Sequence, residues 1–211
     1  MRTLYRPVGL RELELILDAD ARAFPPRLPD QPVFYPVLNE GYAVQIARDW
    51  NTPDAFSGYA GFVTAFDLEE SFLARYERKV VGASQHEELW VPAEELREFN
   101  ERIVARIRVT RAFYGERYEG PQPPSASVLQ GRDPRGQLRV LGALDAAALA
   151  QEVERSWKLV LANHGFWSAC APAQQGLSEA QVASALGALR EAWGRHYTAL
   201  PLPPGELAAP R

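Results

Sequence analysis

The sequence is poor in the residues that build redox and metal sites. Cys170 is the single cysteine, so no intramolecular disulfide can form and a disulfide framework is excluded. A reducing compartment fits that usage. Histidine is nearly as sparse. His86, His164 and His196 lie far apart, without the close spacing that pairs metal ligands on one element. Long apolar runs are also missing, since no stretch approaches the ~18 consecutive apolar residues of a membrane span. The opening Met1-Arg2-Thr3-Leu4-Tyr5-Arg6-Pro7 lacks the apolar core of a secretory signal. The expectation is a soluble, cytoplasmic protein with no membrane partner. Positive charge is not in excess: 23 Lys and Arg stand against 27 Asp and Glu, a net charge of −4. That balance argues against duplex nucleic acid as the main partner. There is no P-loop, no G-x-G-x-x-G and no nucleophile elbow.

What is present reads as an ordinary globular chain of 211 residues, 46% hydrophobic and 24% charged. Composition changes at Gly120-Pro121-Gln122-Pro123-Pro124-Ser125, and Gly131-Arg132-Asp133-Pro134-Arg135-Gly136 follows. Such punctuation marks a linker or long loop. It divides the chain into residues 1–118, a linker over 119–137 and a helical region over 138–211. Before the linker, strands are expected over 3–8, 33–37, 59–68, 78–81, 88–91 and 103–109. Leu10, Leu13, Ile16 and Leu17 recur at helical spacing, predicting a helix over 10–19. Asn39 is placed to cap a helix carrying Tyr42, Ala43, Ile46, Ala47 and Trp50 on one side, and 94–100 reads as a short helix. After the linker, Leu149, Val153, Trp157 and Val160 mark a helix over 146–163 that ends near Asn163-His164-Gly165. Ser178 and Gln181 make a capping box for a last helix to residue 196, and the residues after Pro204 are expected to fray. Strands dominate, with helices inserted early. The class expected is α+β, a strand-rich domain with a helical C-terminal extension.

Three segments of the first part carry chemistry. Leu4-Tyr5-Arg6 sets an arginine near the end of the opening strand. Val33-Phe34-Tyr35-Pro36-Val37 is an aromatic strand before an alanine-bearing helix. Gln85-His86-Glu87-Glu88-Leu89-Trp90-Val91-Pro92 sets glutamates at the start of a strand, then three apolar residues and proline. In that order they resemble the ADP-ribosyltransferase superfamily over residues 4–109, about half the chain. The N-terminal half also resembles small bacterial proteins labelled "ADP-ribosylation/crystallin J1", a label that mixes transferases with glycohydrolases. Those hydrolases are all-helical and hold magnesium on clustered aspartates. A strand-rich half in which Asp49 and Asp54 make no such cluster points to the transferase fold.

The resemblance implies NAD as substrate, with ADP-ribose passed to a macromolecular or small-molecule acceptor, as in related toxins. Glu88 is the implied catalytic carboxylate, favoured by its spacing to Pro92, and Glu87 is the alternative. Arg6 is implied to hold NAD phosphate, Tyr35 or Phe34 to lie beside the nicotinamide, and His86 or Gln85 to orient the acceptor. An NAD glycohydrolase and an inactive binding module with the same fold, such as a toxin-system partner, remain open.

Overall fold

The computed structural model describes residues 1–81 and 86–209. In chain order the elements are β1 (Arg2–Gly9), α1 (Leu10–Asp18), β2 (Val33–Phe34), α2 (Glu40–Ile46), β3 (Ala60–Leu68), α3 (Glu70–Leu73), β4 (Glu77–Val80), β5 (Glu87–Pro92), α4 (Leu96–Glu101), β6 (Val104–Tyr114), α5 (Pro134–Gly142), α6 (Ala146–Arg155), α7 (Trp157–Ala169), α8 (Glu179–Gly194) and β7 (Gly205–Leu207). The class is mixed α+β. None of the described helices is long and apolar enough to cross a membrane.

Two sheets organise these elements, one in the order β1-β3-β6-β7 and one in the order β2-β5-β4. β1, β3 and β6 pair antiparallel, while β7 lies parallel on β6. Alternation along β1 sends Leu4 and Val8 to one face and Tyr5 to the other. The first face meets α1 through Leu10, Leu13, Ile16 and Leu17, and the same apolar core runs on through α5 to α8. Phe24 joins Phe34 and Phe66 with ring centroids 4.9 and 4.8 Å apart. Each fully buried ring contributes about 1.5–3 kcal/mol through the hydrophobic effect. The second face takes α2, whose Tyr42 and Ala43 pack with Val37, Val63 and Phe113. Asn39 caps α2 by accepting from the Tyr42 amide, as its type and place predict.

Val37 joins the two sheets. Its amide and carbonyl exchange hydrogen bonds with Tyr5 of β1, and it also bridges Glu88 of β5. The strand expected over 33–37 is therefore interrupted: regular pairing covers Val33–Phe34 and resumes only at Val37. Pro36 lacks the amide hydrogen a ladder needs. The register nevertheless persists, because Val33↔Pro92, Phe34↔Val91 and Val37↔Glu88 belong to one alignment.

Other expectations are corrected. Trp50 does not share the buried side of α2. The turn Ala47–Asn51 is π-helical and leaves Trp50 57% exposed, since the wider turn rotates later side chains off the α-helical face. Gly61 of β3 lies against that turn, so close that a Cβ there would meet the Ala47 carbonyl oxygen at 1.9 Å. The helix expected over 146–163 is two helices broken at Ser156, and α7 continues through Asn163, His164 and Gly165. His164 is accordingly a buried mid-helix residue rather than one at a helix end. Trp157 is half-buried and stacks on Tyr197, whereas Trp193 is buried and donates to the Leu200 carbonyl. Helix α5 begins inside the expected linker, with Asp133 as N-cap and Pro134 in the first turn. Gly205–Leu207 form β7, within the stretch expected to fray.

Candidate functional site

Strand alternation in β5 separates the two candidate glutamates. Leu89 and Val91 are core residues, and Glu87 lies on their face of the strand. Glu88 and Trp90 share the opposite face. Glu88 is buried, and its carboxylate accepts from two side chains. The Tyr42 hydroxyl donates to Oε1 at 3.2 Å, and the Trp90 indole Nε1 donates to Oε2 at 3.4 Å. Tyr42 arrives from α2, whose position Asn39 caps. Burial, then the charge of Glu88, raises the Tyr42 pKa above the ordinary phenol value, so the hydroxyl keeps its proton and remains a donor.

Around this carboxylate stand several rings. Continuing the β2–β5 register sets Tyr35 opposite Trp90, and these rings are 44% and 40% exposed. Lys79, paired with Glu88 across the β4–β5 ladder, holds its Nζ 4.1 Å from the centre of the Trp90 ring. His86 stacks on Tyr42, with centroids 4.0 Å apart and planes 13° apart. Its Nδ1 lies 3.2 Å from the Val81 carbonyl, and its Nε2 is buried without a partner among the described residues. Gln85 lies outside the described residues.

Phe34 offers no face to a ligand. It is fully buried against Phe24 and Phe99, which leaves Tyr35 as the accessible ring of that segment. Arg6 is buried on the α1 side of β1 and already engaged. Its Nε donates to Glu12 at 2.8 Å and one terminal nitrogen does so at 3.3 Å. The guanidinium carbon lies 4.8 Å from the Phe34 ring centre and 5.5 Å from that of Tyr35. Tyr35 thus stands between the Arg6 corner and the Tyr42–Glu88 pair.

Comparison with protein-family models, with curated proteins and with solved structures finds no match. The geometry alone speaks for the site.

Sequence reading did not single out Tyr42, Trp90, Glu12 or Arg27 as site residues. Trp90 carried a usable signal, because residues two apart on a strand share a face. Tyr42 carried none, for its contact with Glu88 spans 46 residues. A groove of about 720 Å³ between α1, residues 121–124 and the α6–α7 junction shares no residue with this site. Its Lys158 is ion-paired with Asp18.

Proposed function

We propose that this chain is an ADP-ribosyltransferase that takes NAD as donor and breaks the bond between nicotinamide and ribose. The observation that carries the reading is a buried carboxylate, Glu88, held by two donors and flanked by the exposed rings of Tyr35 and Trp90. Cleavage of a glycosidic bond passes through an oxocarbenium-like state. A fixed carboxylate facing that cation stabilises the transition state more than the ground state. Glu88 suits the task because each oxygen carries one long hydrogen bond from the protein, which leaves acceptor capacity for a ribose hydroxyl. Tyr35 and Trp90 supply flat surfaces for a heteroaromatic ring. His86, stacked on Tyr42, would orient the acceptor in this reading.

The test is nicotinamide release from NAD by the purified full chain. Glu88→Gln keeps the shape and removes the charge, so kcat should fall by a factor of ~10²–10³ with KM nearly unchanged. Glu87→Gln is the control, since its side chain lies on the face of Leu89 and Val91, opposite to that of Glu88. No release by the wild type, or equal slight effects of the two substitutions, refutes the reading. Chromatography of the second product separates transfer to an acceptor from hydrolysis to free ADP-ribose.

A further inference from the structure

Helix α7 carries a buried histidine that the Glu88 site does not use. His164 stands beside Gly165, where α7 meets β7 so closely that a Cβ on Gly165 would lie 2.9 Å from the Gly205 Cα. The His164 Nδ1 donates to the Pro203 carbonyl at 2.9 Å, which leaves Nε2 as the lone-pair nitrogen of a neutral ring. That Nε2 is buried with no partner among the described residues. A second proton would go there and make a buried cationic donor without an acceptor, a costly arrangement. The charged groups on the packed elements give no relief. Arg190 of α8 repels the cation. Glu206 of β7 is ion-paired with Arg111 of β6 at 3.6 Å, and the Tyr114 hydroxyl of β6 is given to the Ala162 carbonyl. Burial first, then Arg190, holds the His164 pKa below its ordinary value against the Pro203 bond.

What lies over this ring is lightly attached. The chain is anchored at Leu200, which is buried and whose carbonyl accepts from the Trp193 indole. Beyond that point Pro201, Pro203 and Pro204 have no amide hydrogen to donate. The next holds are the His164 bond to Pro203, the Ala112 amide on the Pro204 carbonyl, the three-residue pairing of β7 with β6, and the Ala208 amide on the Tyr114 carbonyl. We infer that protonation of His164 lifts residues 201–208 off α7 while the helices stay folded, an acid-released strap whose opening bares the edge of β6. Lifting the strap brings water to Nε2 and hydrates the new charge. It sacrifices a few edge contacts, whereas unfolding α7 would expose the core residues Val160, Leu161 and Phe166. Segments with few buried contacts open at a lower cost than the body they rest on. The strap stands apart from Glu88 and holds whether or not the transferase reading does.

The experiment follows amide hydrogen exchange of the full chain by NMR at about pH 7.5 and pH 5, corrected for the pH dependence of intrinsic exchange. One proton taken up on opening raises the opening constant ~10-fold for each pH unit below about 6.5, the ordinary histidine value, until the folded-state pKa is reached. Protection of residues 205–208 and of the Ala112 amide should therefore fall ~10-fold or more at the lower pH, while that of α5 and α8 holds. His164→Gln has no group to titrate in this range, so its strap should show the same protection at both pH values. Should that variant fail to fold, the ring signals of the wild type decide, since His164 should take up its proton over the pH range in which the strap opens. Four results overturn the inference. They are equal protection at both pH values, the same loss in His164→Gln, loss of protection in α5 and α8 together with the strap, and a His164 ring that stays neutral while the strap opens.

Discussion

At the scale of single residues, the chain shows how burial sets the behaviour of a polar group by what it leaves within reach. Glu152 of α6 is buried, which alone pushes a carboxyl pKa up. Hydrogen bonds from Ser127 and Ser156, with Arg155 beside them, outweigh that and hold the pKa below the usual carboxylate range. His164 has less support. Its Nδ1 donates to the Pro203 carbonyl at 2.9 Å and its Nε2 is buried without a partner among the described residues. Burial lowers its pKa, the Pro203 bond opposes this, and Arg190 lowers it further. A depressed folded-state pKa means the unfolded chain binds the proton more readily, so stability rises with pH. The His164 contribution should be complete above about pH 6.5, the ordinary histidine value, and be lost as pH falls towards the folded-state pKa. Thermal melts across that window should show Tm falling with acidity, and His164→Gln should flatten the slope. An unchanged slope would mean that the imidazole stays neutral or finds a partner on protonation.

Among the elements, β7 was the least legible. It consists of three residues after a proline-rich stretch, and its pairing with Ala112 to Tyr114 of β6 joins positions some ninety residues apart in the chain. Nothing local announces such a strand. What admits it is the contact of Gly205 with Gly165 of α7: a Cβ on Gly205 would lie 2.4 Å from the Gly165 carbonyl carbon. Gly165 had read as the end of a helix, yet it marks a close approach of backbones. Gly205→Ala should therefore destabilise the protein by about 1–3 kcal/mol, the range for overpacking, and speed hydrogen exchange at the Ala112 amide, which bonds to the Pro204 carbonyl. Gly187 is the contrast, since nothing lies within 4 Å of a Cβ there. Gly187→Ala, inside α8, should stabilise by about 0.5–1 kcal/mol. Equal melting temperatures for the two variants would count against the close packing of α7 and β7.

For the whole molecule, the two halves are bound by buried polar contacts as well as apolar ones. The Tyr114 hydroxyl donates to the Ala162 carbonyl at 2.8 Å, and that of Tyr118 donates to Asn163 at 2.6 Å. Burial drives both phenol pKa values far up. Asn163 passes the chain of hydrogen bonds to Gln137 of α5. A fragment ending at residue 118 would expose both tyrosines and lose β7 from the sheet edge. It should therefore lack a cooperative thermal transition, as read by near-ultraviolet circular dichroism. A soluble fragment with a sharp melt would show that the strand-rich half is self-sufficient.

By itself the sequence determined the features whose causes lie within a few residues. The α1 stripe, the Asn39 cap, the Ser178–Gln181 capping box and the Glu87/Glu88 alternation follow from side-chain periodicity and local hydrogen bonding, and all were legible. The Asp133-Pro134 helix start was equally local and was hidden only by the glycines and prolines around it. Tertiary structure decided the rest. That Val37 joins β1 to β5, that Tyr42 reaches Glu88, that Arg6 is held by Glu12, and that Ser156 breaks a helix to serve Glu152, each depends on a partner brought near by packing. Local propensity sets backbone angles and the face a side chain takes. Which groups meet across the fold is set by burial and by the need to satisfy every buried polar atom, and neither can be read from a window of neighbouring residues.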